Sequence, residues 1–121
     1  MALMSQQAEV RALSPVYLQM LRDSADYADI VFYPPYQQSI SLEGKNVLLI
    51  TSMIEPEAVP VSIEKETGHI SLQIRGREVL FARLFLPESQ KGGYVVAEVG
   101  GVVYRSRLTD SGAAFLRNNR R

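Results

Sequence analysis

At 121 residues with 46% hydrophobic content, the chain holds enough apolar material for one ordinary domain and needs no crosslink to fold. It has no cysteine, which excludes disulfides, thiolate metal sites and cysteine nucleophiles. Net charge is zero but unevenly divided: residues 1–60 hold 3 basic and 7 acidic side chains, and residues 61–121 hold 10 and 6.

No apolar run reaches the ~18 residues of a membrane-spanning helix. The opening "MALMSQQAEVRAL" has neither the basic start nor the apolar centre of a secretory signal. The expectation is a cytoplasmic protein of one domain, residues 1–121, not bound to a membrane, with residues 1–13 a frayed end or a short helix.

Residues 1–29 read as helical. Ser14-Pro15 is a start signal, because serine caps free amides and proline fits the first helical position. Val16, Tyr17, Met20, Leu21 and Ala25 then form an apolar stripe. Asp23, Asp26 and Asp29 would stack on one helix face and read as a solvated face. Pro34-Pro35 ends any regular element, and "YPPYQQ" (Tyr33–Gln38) reads as a crossover turn whose tyrosine rings close one end of the core.

Residues 37–108 read as successive strands. Ile40 and Leu42 alternate with serines. Val47–Met53 is almost wholly apolar and predicts a strand covered on both faces. Val59, Val61 and Ile63 alternate, and so, more clearly, do Ile70, Leu72 and Ile74. His69 follows Gly68 and predicts an exposed turn residue. Glu78–Leu86 is the longest apolar run. Gly100-Gly101 supplies the positive φ angles of a tight hairpin. Residues 109–119 read as helical behind a Thr109 cap.

These elements predict an α+β fold: an N-terminal helix, an antiparallel β-meander of about five to seven strands, and a C-terminal helix. Apolar residues on both faces suggest a sheet that curls toward a barrel. Two helices cannot cover both long apolar runs, which predicts a homodimer or a stable protein partner.

The chemistry-bearing patterns are sparse. There is no phosphate-binding glycine loop, one histidine, and no acid placed beside a base. The expectation is no enzyme, no catalytic residue, no cofactor and no metal. Arg83 stands out inside "LFARLFL". On a half-exposed strand it shares a face with Phe81 and Phe85, an apolar surface with a charge at its centre. That predicts a small non-catalytic binding protein (adaptor, chaperone-like or regulatory) using Phe81, Arg83 and Phe85.

The alternative partner is nucleic acid. "VVYRSRLTDSGAAFLR", through Tyr104, Leu108, Thr109, Asp110, Gly112, Phe115 and Leu116, resembles the wing and last helix of winged-helix regulators of the MarR type. The resemblance implies a DNA-binding regulator. The stretch ahead of it reads as strands rather than the helices such a fold requires, so no DNA-contacting residues carry over. What the segment offers is Arg105, Arg107, Arg117, Arg120 and Arg121, suited to phosphates or to an acidic protein surface.

Overall fold

A computed structural model of the chain describes residues 10–36, 38–62, 64–88 and 92–120. In chain order it contains α1 (Pro15–Ser24), β1 (Tyr27–Phe32), β2 (Ser39–Glu43), a 3₁₀ turn (Gly44–Val47), α2 (Leu48–Thr51), β3 (Ile54–Ala58), β4 (Gly68–Ile74), β5 (Arg77–Phe85), β6 (Tyr94–Val99), β7 (Val102–Leu108) and α3 (Asp110–Asn119). The fold is α+β. All seven strands form one antiparallel sheet in the order β2-β1-β4-β5-β6-β7-β3.

The sheet stays open, with β2 and β3 as edges, so it does not close into a barrel. Only β4 to β7 run as a simple meander. Tight turns join β4 to β5 and β6 to β7: Gly76 (φ 79°), Gly100 (60°) and Gly101 (82°) supply the positive φ that glycine adopts freely, and Arg75 (52°) takes the left-handed region beside Gly76.

The helices start where the sequence places caps. Ser14 accepts from the Tyr17 N–H at 3.0 Å, Pro15 follows it, and Thr109 Oγ1 accepts from the Gly112 N–H at 3.0 Å. Asp110 lies in the first turn of α3, where negative charge suits the helix dipole. α1 buries Leu18 and Leu21, and α3 buries Ala113 and Leu116. These residues join Ala28, Ile30, Ile70, Leu72, Leu80, Ala82, Leu84, Val95 and Leu108 in one core. The helices therefore all lie on one face of the sheet, called the inner face below.

Several expected elements differ. The N-terminal helix ends at Ser24, and residues 27–32 form β1. There Ala28, Ile30 and Phe32 point inward with period two, so Asp26 and Asp29 do not share a helix face with Asp23. Val47–Met53 is not a strand. It holds the end of the 3₁₀ turn and α2, burying Val47, Ile50 and Thr51 while Leu48 and Leu49 are exposed. Val59–Ser62 is a loop, and Ile63 lies outside the described residues. His69 belongs to β4 and is half-buried. Residues 10–13 are non-helical. They run beside β7, where Arg11 accepts from the Arg105 N–H at 2.7 Å and the Leu13 N–H reaches the buried Ser106 Oγ at 2.7 Å.

Two connections cross the sheet on opposite sides. Residues 44–53 pass over the inner face from β2 to β3. Between β3 and β4, residues 59–62 lie over the outer face. Val59 packs on Phe85, Tyr94 and Val96, and Ser62 lies 3.2 Å from the Tyr94 hydroxyl.

Candidate functional site

Among the described residues no helix lies on the outer face, and the composition of that face follows from the register. His69 pairs with Arg83, and Arg83 with Val96; Ser71 pairs with Phe81, and Glu98 with Val103. These side chains alternate with the core residues and so project outward together. Phe81 is 46% exposed and Val103 54%, although large apolar side chains usually seek cover. A shallow depression of about 380 Å³ joins Phe81, Arg83, Val96, Glu98 and Val103. Neither Arg83 nor Glu98 makes an ion pair with another described residue.

Phe81 and Arg83 are thus brought together on open surface. Phe85 lies on the same face but is buried, stacked on Tyr94 at a centroid distance of 4.8 Å beneath Val59. Residues 59–62 act as a strap over one end of the face. Arg105 holds that strap. Its Nε donates to the Val59 carbonyl at 3.2 Å, its guanidinium donates to the Pro60 carbonyl at 3.2 Å, and its plane sits 4.9 Å from the Tyr94 ring.

His69 is the residue that sequence reasoning misplaced. Its ring lies between Phe81, at 4.7 Å, and Tyr33, at 5.7 Å. The Tyr33 hydroxyl is 2.9 Å from Glu66 Oε2 and 3.0 Å from His69 Nδ1. A phenol has one proton, so when Tyr33 donates to Glu66 it accepts from Nδ1–H of His69. Burial, followed by the hydrogen bond and charge of Glu66, pushes the Tyr33 hydroxyl above its ordinary value of 10, while Arg83 pulls it down. The trio fixes the His69 ring and thereby the wall against which Phe81 rests. Tyr33, Glu66 and His69 come from three segments, and no local pattern announces their meeting.

Beside Tyr33 a cleft of about 440 Å³ is lined by Pro34, Pro35, Tyr36, Glu66, Glu88 and Arg120 among others. The chain itself fills part of its aromatic wall. The Arg120 guanidinium sits 4.4 Å from the Tyr36 ring and 3.0 Å from Glu88, and its side chain is only 9% exposed.

The other candidate arginines are also engaged. Arg107 lies within 4 Å of Glu55, Glu57 and Asp110. Arg117 donates to the carbonyls of Pro87 and Gly92, at 2.8 and 2.6 Å. Burial lowers its pKa from the ordinary value, as does the charge of Arg120, with Glu88 opposing. Arg121 lies outside the described residues. Arg105 and Arg107 stand on β7, Arg117 stands on α3, and Arg120 follows the end of α3 in extended conformation, so the structure does not gather them on one strand or helix.

Among the described residues, no group of three or more histidine, cysteine or acidic side chains is clustered to hold a metal ion. No described helix is long and apolar enough to cross a membrane. No protein-family model matches the chain, and no curated protein or solved structure matches it.

Proposed function

We propose that this chain is a non-catalytic binding domain whose open outer face grips a protein partner through Phe81, with Arg83 selecting an acidic neighbour on that partner. The observation carrying this reading is Phe81, half exposed beside Val103, with an arginine that has no ion-pair partner among the described residues. Covering what remains of Phe81 contributes roughly 1 kcal/mol, and desolvating a matched Arg83–carboxylate pair adds specificity more than affinity. Phe85 serves this surface indirectly, by anchoring the strap that bounds it.

The nucleic-acid alternative draws no support from how Arg105, Arg107, Arg117 and Arg120 are held, because each already serves a carbonyl, a carboxylate or an aromatic ring of the chain itself.

The test is panning of a displayed random-peptide library on the folded chain. Enriched peptides are expected to place an aromatic or branched apolar residue next to Asp or Glu. They should lose binding to Phe81→Asp and to Arg83→Glu, two variants whose circular dichroism should match the parent. Enriched peptides that bind both variants unchanged would refute the reading, as would a screen without enrichment.

A further inference from the structure

The two edges of the sheet are not equivalent. β3 is guarded: Pro56 sits within it, Glu55 and Glu57 flank the proline, and its pairing with β7 is irregular. Proline, charge and irregularity are the devices by which sheets discourage further pairing. β2 has almost none of them. Its sequence is Ser39-Ile40-Ser41-Leu42-Glu43, without proline or lysine, in unbroken register with β1.

The register also tells which backbone groups are left over. Phe32 N–H donates to Gln38, and Gly44 N–H donates to Asp26. In an antiparallel ladder the bonded pairs alternate. Ile40 and Leu42 are therefore bonded toward β1, and the N–H and C=O groups of Ser39, Ser41 and Glu43 point away from it. All three residues are exposed. Their side chains project from the outer face, where Ser41 Oγ donates to Asp29 at 2.6 Å.

We propose that β2 pairs antiparallel with β2 of a second copy of this chain, across a two-fold axis at Ser41. This register satisfies the whole strand. Ser41 faces Ser41 of the partner subunit, and Ser39 faces Glu43 of the partner subunit. Each of these facing pairs exchanges two backbone bonds. On the inner face Ile40 meets Leu42 of the partner subunit, so two half-buried apolar residues gain cover on the side where they already touch the core. No like charges face each other, since each Glu43 is opposite a serine. A shift of the axis to Ile40 or Leu42 would shorten the overlap and leave outward-pointing groups unpaired. The sequence is self-complementary in the one register that uses the full edge, and that property favours a second copy over an unrelated peptide. The two sheets would then run on as one. Phe81 lies on β5, three strands away from this edge, so the pairing is independent of the face proposed above.

The chain lacks cysteine, so single cysteines report distance cleanly. In the full chain, Ser41→Cys treated with oxidised glutathione is expected to give a disulfide-linked dimer, because directly opposed residues lie ~5.5 Å apart between Cα atoms. Ser39→Cys should not crosslink, since the two copies of residue 39 are displaced along the strands. Sedimentation should show a dimer for the parent chain. In Ser41→Lys the dissociation constant should rise by at least roughly tenfold, from lysines opposed at the axis. That lysine has Asp29 beside it, so the fold should be kept, as circular dichroism can verify. Phe81→Asp should leave the dimer intact. A monomeric parent chain would overturn the proposal. So would a dimer that survives Ser41→Lys without crosslinking at residue 41, or a dimer lost in Phe81→Asp but kept in Ser41→Lys.

Discussion

Gly112 lies in the first turn of α3, and helix propensity alone says that Gly112→Ala should stabilise the protein by up to about 1 kcal/mol. The packing says the reverse. A Cβ at this position would lie 2.4 Å from Met53 Cβ, 2.8 Å from Thr109 Oγ1 and 3.1 Å from Met53 Sδ. The sulfur can swing aside. Met53 Cβ moves only with its backbone, which accepts the Thr109 N–H at 2.8 Å. Thr109 Oγ1 moves only by releasing the helix cap. Overpacking costs about 1–3 kcal/mol and a disturbed cap about 1 kcal/mol, against the propensity gain of about 1. The net expectation is a loss of about 1–3 kcal/mol. At about 2.1 cal/mol/K of unfolding entropy per residue, this chain has about 0.25 kcal/mol/K, so Tm should fall by roughly 4–12 °C. Urea unfolding should show a lower midpoint at unchanged slope. Ala114→Gly, on the exposed side of the same helix, should cost about 1 kcal/mol and shows that ordinary propensity applies there. A raised midpoint for Gly112→Ala would refute the close approach of α3 to Met53.

Ser106→Ala should cost about 1–3 kcal/mol in urea unfolding, because the Leu13 N–H loses its buried acceptor. Arg107→Ala should cost less than about 1 kcal/mol despite its three acidic neighbours, since all four side chains are substantially exposed; the same unfolding curves decide it. Burial raises the hydroxyl of Tyr17 above 10, and burial with Glu66 raises that of Tyr33. In both cases the folded state keeps a proton that the unfolded chain gives up. Their contribution is therefore complete below pH ~10 and is lost as pH rises through the raised values. Thermal midpoints measured from pH 8 upward should fall above pH ~10, and the fall should be shallower in Tyr17→Phe with Tyr33→Phe.

The parts of the fold that local chemistry determines were legible in the sequence. Ser14-Pro15 and Thr109 cap helices, the Gly100-Gly101 pair turns a hairpin, and the alternation around Ile70 marks a strand. The faces of β5 follow from the same alternation, which puts Phe81 and Arg83 on one surface. What alternation could not reveal is that a strap arriving from the opposite edge covers Phe85. The run Val47–Met53 misled because a short, almost wholly apolar segment has no visible period. Among its buried members Val47, Ile50 and Thr51 have helical spacing, but exposed Leu48 and Leu49 fill the gaps with apolar side chains. β1 was absorbed into the preceding helix because Val31 breaks the apolar–polar alternation of Ala28, Ile30 and Phe32. His69 looked like a turn residue beside Gly68, and only the pairing of β4 with β1 and β5 draws it in between Tyr33 and Phe81.

The passage from β2 to β3 has a mechanical meaning. Roughly ten residues, 44–53, take the chain from Glu43 on one edge to Ile54 on the other, and they remain coiled: the Ser52 N–H reaches Leu48 and the Met53 N–H reaches Ile50. Coiled backbone advances about 1.5–2.0 Å per residue, so the tether reaches about 20 Å. Seven flat strands would hold their edges about 29 Å apart, at ~4.8 Å per gap. The sheet must therefore bow around its core, drawn like a bow by a short helical string. Residues inserted into 44–53 would slacken that string and let the sheet flatten, opening the core without touching a single strand.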